Sequence, residues 1–180
     1  MNAIGVKLAE ITQVSPPATL NITADQLYTG TDVLSKIADS YTLNVSGVSA
    51  SQAMAVAINE RVTALTVADS SDAIAQNLGD LQAIGTQLTS IAQLGQASPL
   101  KLTQAQYYAN SGALTKITGD YSLNVQEASA SETPGLLVDT HIVNVDVKDS
   151  AFNLNSFFDG LVSASDKVGR VTLTNASPQI

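Results

Sequence analysis

The sequence predicts an α/β solenoid in which strand–helix coils of about 22 residues stack to form one parallel sheet. Three observations predict this fold. The chain matches itself at an offset of 80 residues, short segments alternate apolar and polar residues, and the stretches between them carry apolar residues at helical spacing. Together they indicate a tandem duplication of an 80-residue block.

The internal match runs without a gap over most of the chain, and two residues that stand 80 positions apart are called counterparts below. Identical counterparts include Leu20/Leu100, Tyr28/Tyr108, Lys36/Lys116, Tyr41/Tyr121, Asn44/Asn124, Asp69/Asp149 and Ser70/Ser150. Upstream, Gln13, Ser15 and Pro16 match Gln96, Ser98 and Pro99 at an offset of 83. We predict a single repeat domain over residues 1–180, with an N-terminal strand and Pro-rich loop at 1–19, a first block at 20–99 and a second at 100–180.

Strands are predicted where apolar and polar residues alternate, because such a segment buries one face of a sheet. The predicted segments are Leu20–Thr23, Leu43–Ser46, Leu65–Ala68, Leu100–Thr103, Leu123–Gln126, Val145–Lys148 and Val171–Thr174. A further strand is expected near Leu88–Leu94, with Val6–Thr12 as its match in the first copy.

Helices are predicted between the strands, where capping residues precede apolar residues three and four apart. Thr31-Asp32, Ser49 or Ser51, and Ser70-Ser71-Asp72 are the expected helix starts. A helix that connects each strand to the next requires the strands to run parallel.

Composition limits the classes of function. The chain has no Cys, which excludes disulfides and thiolate sites, and its net charge of −8 disfavours nucleic acid as a partner. It has no apolar run long enough for membrane insertion, and its first residues lack the pattern of a secretory signal peptide.

We find no catalytic or cofactor-binding residues in the sequence and predict that the protein is not an enzyme. His141 is the only histidine, and its counterpart is Arg61, so we interpret it as a solvated surface residue. Asp69, Asp72 and Asp149 are weak candidates for calcium ligands. Helix capping by Asp and Ser explains the same residues without a metal, and Phe152 is the counterpart of Asp72.

An interaction face is predicted on the outward side of the sheet, since polar residues between the buried ones line up when coils stack. This face consists of Asn21, Asn44, Thr66, Lys101, Asn124, Asp146 and Thr172. Glycans or a partner protein could bind it, and the alternative is a face that only keeps the protein soluble. The five tyrosines either pack between coils or form an aromatic platform for sugars.

A second candidate is the end strand formed by Val171, Thr172, Leu173 and Thr174. A strand edge that nothing covers pairs with another chain. A head-to-tail contact of this kind builds fibres when it does not close. The chain itself is therefore a candidate partner.

The motif Tyr-x-Leu-Asn-Val-x-x-Val-Ser-Ala-x-Gln-Ala at Tyr41–Ala53, with Leu65–Ser70 and Asp80–Ile84, resembles β-strand repeat segments of very large bacterial extracellular proteins. Those segments occur beside RTX-type calcium repeats in type I-secreted, adhesin-like chains. The resemblance implies an extracellular or cell-surface location and a non-enzymatic role. The Gly-Gly-x-Gly-x-Asp calcium motif is absent, so the resemblance assigns no calcium ligands.

The expected function is a structural or adhesive repeat module of an extracellular bacterial protein. The alternatives are a self-assembling subunit of a filament or surface array, joined through its end strands, and a glycan- or calcium-binding module.

Overall fold

The structure, a computed structural model, describes residues 9–12, 17–96 and 98–174. The first part of the chain forms β1 (Ala18–Thr23), α1 (Ala24–Thr29), α2 (Thr31–Leu34), β2 (Tyr41–Val48), α3 (Ala53–Ala57), β3 (Val62–Asp69), α4 (Ser71–Gln76), α5 (Leu78–Ile84) and β4 (Leu88–Gln93). The second forms β5 (Leu100–Thr103), α6 (Gln104–Ala109), α7 (Ser111–Leu114), β6 (Ile117–Thr118), β7 (Leu123–Ala128), α8 (Thr133–Leu136), β8 (Ile142–Asp149), α9 (Ala151–Ser156), α10 (Phe158–Ser163) and β9 (Val168–Leu173). Short 3-10 helices cover Ala50–Gln52 and Gly85–Gln87.

The fold is α/β, with parallel strands and helices between them, as predicted. The prediction of one sheet is wrong, because the strands form a five-stranded sheet, β1-β2-β3-β4-β6, and a four-stranded sheet, β5-β7-β8-β9. Residues 94–99 are too few for the crossover that two neighbouring parallel strands need, so β5 cannot lie beside β4. The longer connection through α6 and α7 instead brings β6 to β4.

The alternating segments are strands, as predicted. All seven fall within or coincide with observed strands, except that β9 ends one residue before Thr174. The strand expected near Leu88–Leu94 is β4. In its expected match, residues 6–8 lie outside the described residues, and Ile11 forms a parallel bridge with Ile37.

The helix starts agree with the prediction at Ser70 and its counterpart Ser150, whose side chains accept a hydrogen bond from the third residue of α4 and α9. At Thr31-Asp32 a helix begins as predicted, since α2 starts at Thr31, but the residue in the cap position is Gly30. The preceding helix α1 was not predicted. It has only six residues, fewer than two helical turns and too few for a repeating apolar stripe, and its signal is a capping box in which Thr23 and Gln26 bond each other's backbone N–H.

The core lies between the sheets and the helices. In β2, Leu43 and Val45 are buried while Asn44 between them is half-buried, so the alternation in sequence is an alternation of faces. The predicted interaction residues lie on the face of the strands that is opposite the core.

Candidate interaction face

The first two strands of each sheet place the predicted polar residues side by side. Asn21 of β1 lies opposite Asn44 of β2, and Lys101 of β5 lies opposite Asn124 of β7. The Asn44 amide donates to Asn21 Oδ1 at 2.9 Å. The start of the column is therefore as expected in both sheets.

Beyond these strands the register differs from the predicted column. Asn44 lies opposite Ala64 instead of Thr66, and Asn124 lies opposite Asn144 instead of Asp146. The division into two sheets also separates the first three residues of the predicted face from the other four.

The register between β2 and β3 shifts between Leu43 and Asn44, and again between Val45 and Val48, where a bulge at Gly47 lies; β7 and β8 shift at the counterpart positions. Gly47 has a φ of 69° and its counterpart Glu127 has a φ of 56°, a left-handed conformation that L-residues other than glycine rarely adopt. The pairs of Asn44 and Asn124 lie before this bulge, which shifts only the pairs that follow it. Alternation alone does not reveal such a shift, although Gly47 inside a strand pattern is its usual signal.

Two shallow grooves follow the bulges on the outward face. The neutral groove, of about 330 Å³, is lined by Asn21, Asn44, Val45, Ser46, Ala64, Leu65, Thr66 and Thr89. The charged groove, of about 300 Å³, is lined by Gln126, Glu127, Asp146, Val147, Lys148, Arg170 and Thr172. Ser46 and Thr66 have Gln126 and Asp146 as counterparts, so related positions line a neutral groove in one sheet and a charged groove in the other.

Hydrogen bonds hold the polar groups of both grooves. Thr66 Oγ1 accepts from the backbone N–H of Gly47 at 3.2 Å, which ties the neutral groove to the bulge. In the charged groove Lys148 Nζ lies 2.5 Å from Glu127 Oε1. The neutral groove offers amides and hydroxyls, which suit the hydroxyl groups of a sugar, while the charged groove offers charged groups of both signs.

The calcium candidates Asp69 and Asp149 bind backbone N–H groups. Asp69 Oδ2 accepts from Ala50 at 2.9 Å, and Asp149 Oδ2 accepts from Ala130 at the same distance. The bond from Ala130, with further bonds from Asn153 and Ser150, lowers the pKa of Asp149 below its ordinary value.

The third candidate, Asp72, lies in the first turn of α4. Within the described residues, no three His, Asp or Glu side chains are grouped closely enough to hold a metal ion.

An aromatic contact recurs at counterpart positions. The guanidinium of Arg61 lies over the Tyr41 ring, and the His141 ring stacks on Tyr121 with centroids 4.1 Å apart. The tyrosines do not share one environment, since Tyr41 is buried whereas Tyr28 and Tyr108 are about half exposed. Packing therefore explains Tyr41 but does not explain Tyr28 and Tyr108.

Asp139 connects the contact between His141 and Tyr121 to helix α6. Its carboxylate contacts His141 Nδ1 at 2.8 Å and accepts from the Tyr107 hydroxyl at 2.9 Å. Burial and this bond to a carboxylate raise the pKa of Tyr107 to about 12. Although burial opposes the shift, the hydrogen bonds from His141 and Tyr107 hold the pKa of Asp139 below its ordinary value.

A pocket that the sequence did not predict lies beside Tyr41 and Arg61. It has a volume of about 470 Å³, and its lining includes Leu27, Asn59 and Tyr28. The counterparts of Leu27 and Asn59 are Tyr107 and Asp139, the pair that bonds in the second block. In the sequence, the signal for this pocket was that Leu27 and Asn59 differ from their counterparts although the two blocks are otherwise similar.

The predicted end strand lies at the edge of its sheet. β9 pairs with β8 on one side, and its Val171 and Leu173 side chains are half exposed. Thr172 lies opposite Lys148, and the backbone N–H of Thr174 bonds Asp149.

None of the helices in the described part of the chain has the length and apolar character needed to cross a membrane. Comparisons with protein-family models, with curated proteins and with solved structures found no match.

Proposed function

We propose that the chain is a non-enzymatic structural and adhesive repeat module of an extracellular or cell-surface bacterial protein. In this proposal its strand–helix coils stack as a solenoid and present their polar faces outward. The observation that carries the proposal is the recurrence of the same strands and helices at the 80-residue spacing of the sequence match, from β1 and β5 to β4 and β9.

Individual hydrogen bonds recur with the elements. Thr103 and Gln106 form the same capping box as Thr23 and Gln26. The bond from Ala50 to Asp69 and the bond from Ala130 to Asp149 have the same length. Recurrence at this level supports stacking of similar coils, in which each coil covers the apolar face of its neighbour.

The outside location is tested on the cells that produce the protein. Protease treatment of intact cells, followed by mass spectrometry, should release peptides of this chain before it releases peptides of cytoplasmic marker proteins. Recovery of the chain only after lysis would contradict an extracellular or surface role.

The adhesive role is assigned to the neutral groove, with glycans as the ligand class. A glycan array probed with the purified chain should show binding that Asn44→Ala weakens, because the variant removes the amide between Asn21 and Thr63. Asn124→Ala is the matched control in the other sheet. Equal loss in both variants, or no binding by the unmodified chain, would leave only the structural role.

Self-assembly is the second candidate function, and a specific observation favours it. Large apolar side chains are exposed at the C-terminal end of the described chain, among them Phe152, Phe158, Val162 and Leu173. A large exposed apolar surface on a protein usually marks an interaction site.

A further inference from the structure

We propose that the C-terminal end of this chain binds the N-terminal end of a second copy, head to tail, through the contacts that join its own two blocks. This inference rests on the proposed stacking of coils. It names the partner of the exposed apolar surface, which is another molecule of the same protein.

The junction between the two blocks is the template. On the side of the first block, Ile74, Leu78, Leu81 and Ile91 are buried, and on the side of the second block, Leu100, Leu102, Ala113 and Ile117 are buried. The contacts run from α4 to β5, from α5 to α6 and α7, and from β4 to β6. Lys116 Nζ also donates to the carbonyl of Gly85 across this junction.

At the C-terminal end, counterparts of junction residues of the first block are exposed. Phe158, the counterpart of the fully buried Leu78, is 60% exposed, and Val171, the counterpart of the fully buried Ile91, is half exposed. An apolar pocket of about 350 Å³ lies among them, lined by Leu154, Phe158, Leu161, Val162, Ser165, Val168 and Val171. We call this surface the C-terminal face.

At the N-terminal end lie the counterparts of the junction residues of the second block. Leu20 and Ile22 are only half-buried, whereas their counterparts Leu100 and Leu102 are fully buried beneath the first block. Leu34 and Ile37 are likewise less buried than their counterparts. Together with Val33 these residues form the N-terminal face.

One pair of positions favours a second copy over an unrelated protein. At the internal junction the Gln82 side chain accepts a hydrogen bond from the backbone N–H of Ala113 at 2.7 Å. Their counterparts, Val162 on the C-terminal face and Val33 on the N-terminal face, are 54% and 52% exposed. At the positions where the internal junction has a polar contact, each of the two free faces carries an exposed valine. The two faces therefore match each other at this point.

The chain already occupies part of the N-terminal face. The backbone N–H of Ile11 bonds Lys36 O at 2.8 Å, as that of Ile91 bonds Lys116 O at the same distance. Val171 is the counterpart of Ile91, so an incoming C-terminal face would replace Ile11 on Ile37. Residues 9–12 therefore compete with the second copy.

The test uses sedimentation velocity of the full chain over a range from micromolar to near-millimolar concentration. The unmodified chain should form linear oligomers that grow with concentration. Val33→Asp and Val162→Asp should each lower the association constant at least about tenfold, because a carboxylate buried opposite an apolar face lacks a partner. Both sites are exposed in the monomer, and circular dichroism would verify folding. Val138→Asp, another exposed valine, is the control and should assemble normally.

A mixture of the two weakened variants distinguishes a head-to-tail contact from a symmetric one. Val33→Asp keeps its C-terminal face and Val162→Asp keeps its N-terminal face, so the mixture should form dimers and stop there. Ile11→Asn should strengthen assembly of the otherwise unmodified chain. A monomeric unmodified chain at all concentrations, or a mixture that stays monomeric, would overturn the inference and leave the glycan and cell-surface results standing.

Discussion

The guanidinium carbon of Arg61 lies 4.1 Å from the centroid of the Tyr41 ring. This position gives the arginine a cation–π contact with a buried aromatic residue, and both residues line the pocket of about 470 Å³. The second block places His141 on Tyr121 in the same way, so the contact persists although the cation changes to an imidazole.

Arg61→Ala should therefore destabilise the fold by about 0.5–1 kcal/mol, the usual strength of an exposed cation–π contact. Arg61→His should lose less, because it introduces the residue that already stacks on Tyr121. Urea unfolding measures both values, with Lys101→Ala on an exposed strand position as the control. A loss in Arg61→Ala no larger than in the control would contradict the assignment.

Replacing Gly47 by alanine should destabilise the fold, because its φ of 69° is the left-handed conformation. We expect Gly47→Ala to cost about 1 kcal/mol. Gly79→Ala is the matched control, since Gly79 lies in helix α5 and an added Cβ meets nothing within 4 Å. Alanine in a helix should stabilise by up to about 1 kcal/mol, so thermal unfolding should move in opposite directions for the two variants.

Asp149 should contribute stability that acid removes. Its folded pKa is held below the ordinary value of 3.8 by bonds from Ala130, Asn153 and Ser150. Folding therefore favours the charged form, and the stability that this adds is present above pH 3.8 and lost as the pH falls through the folded pKa.

The variant Asp149→Asn removes this titration. Below about pH 4 its urea midpoint should fall less steeply with decreasing pH than that of the unmodified chain. At neutral pH the variant should be the less stable of the two, because it loses charge-assisted bonds. Parallel pH profiles would refute a role of Asp149 in acid stability.

Tyr107 should affect the stability of the fold at alkaline pH, whereas Asp149 affects it at acid pH. Burial and the bond to Asp139 raise its pKa from 10.0 to about 12, so folding favours the neutral phenol. That stability is complete below pH 10 and is lost as the pH rises towards 12. In Tyr107→Phe this alkaline loss should be smaller, as measured by unfolding across that range, and phenolate absorbance should lack its highest titration step. An unchanged absorbance titration would show that another tyrosine accounts for that step.

Much of the local structure could be predicted from residue patterns. The alternation at Leu43-Asn-Val-Ser46 predicted both the strand and its buried face, because neighbouring side chains in a strand point to opposite sides. The Ser70 cap was readable because a hydroxyl before an apolar helical pattern is a local signal. Helix α1 was not predicted, because its six residues span fewer than two helical turns and show no repeating apolar pattern.

The candidate face was predicted only up to its first register shift. Asn21 and Asn44 are neighbours as expected, but the register between β2 and β3, which first shifts between Leu43 and Asn44, places Ala64 instead of Thr66 opposite Asn44. The pocket beside Arg61 was not predicted, because its lining comes from segments that are far apart in the sequence, from Leu27 to Arg61.

The amino-acid order by itself determined the strands and their buried faces, since these depend on neighbours along the chain. It also determined the pairs of equivalent residues, since these follow from the sequence match at an offset of 80. Only the tertiary structure decided how many sheets form and which equivalent residues are covered. Leu20 and Leu100 have the same local sequence role, yet only Leu100 is fully buried, since α4 of the preceding block packs against its strand. Burial is a property of contacts between distant segments, and the same side chain is therefore fully buried in one block and only half-buried in the other.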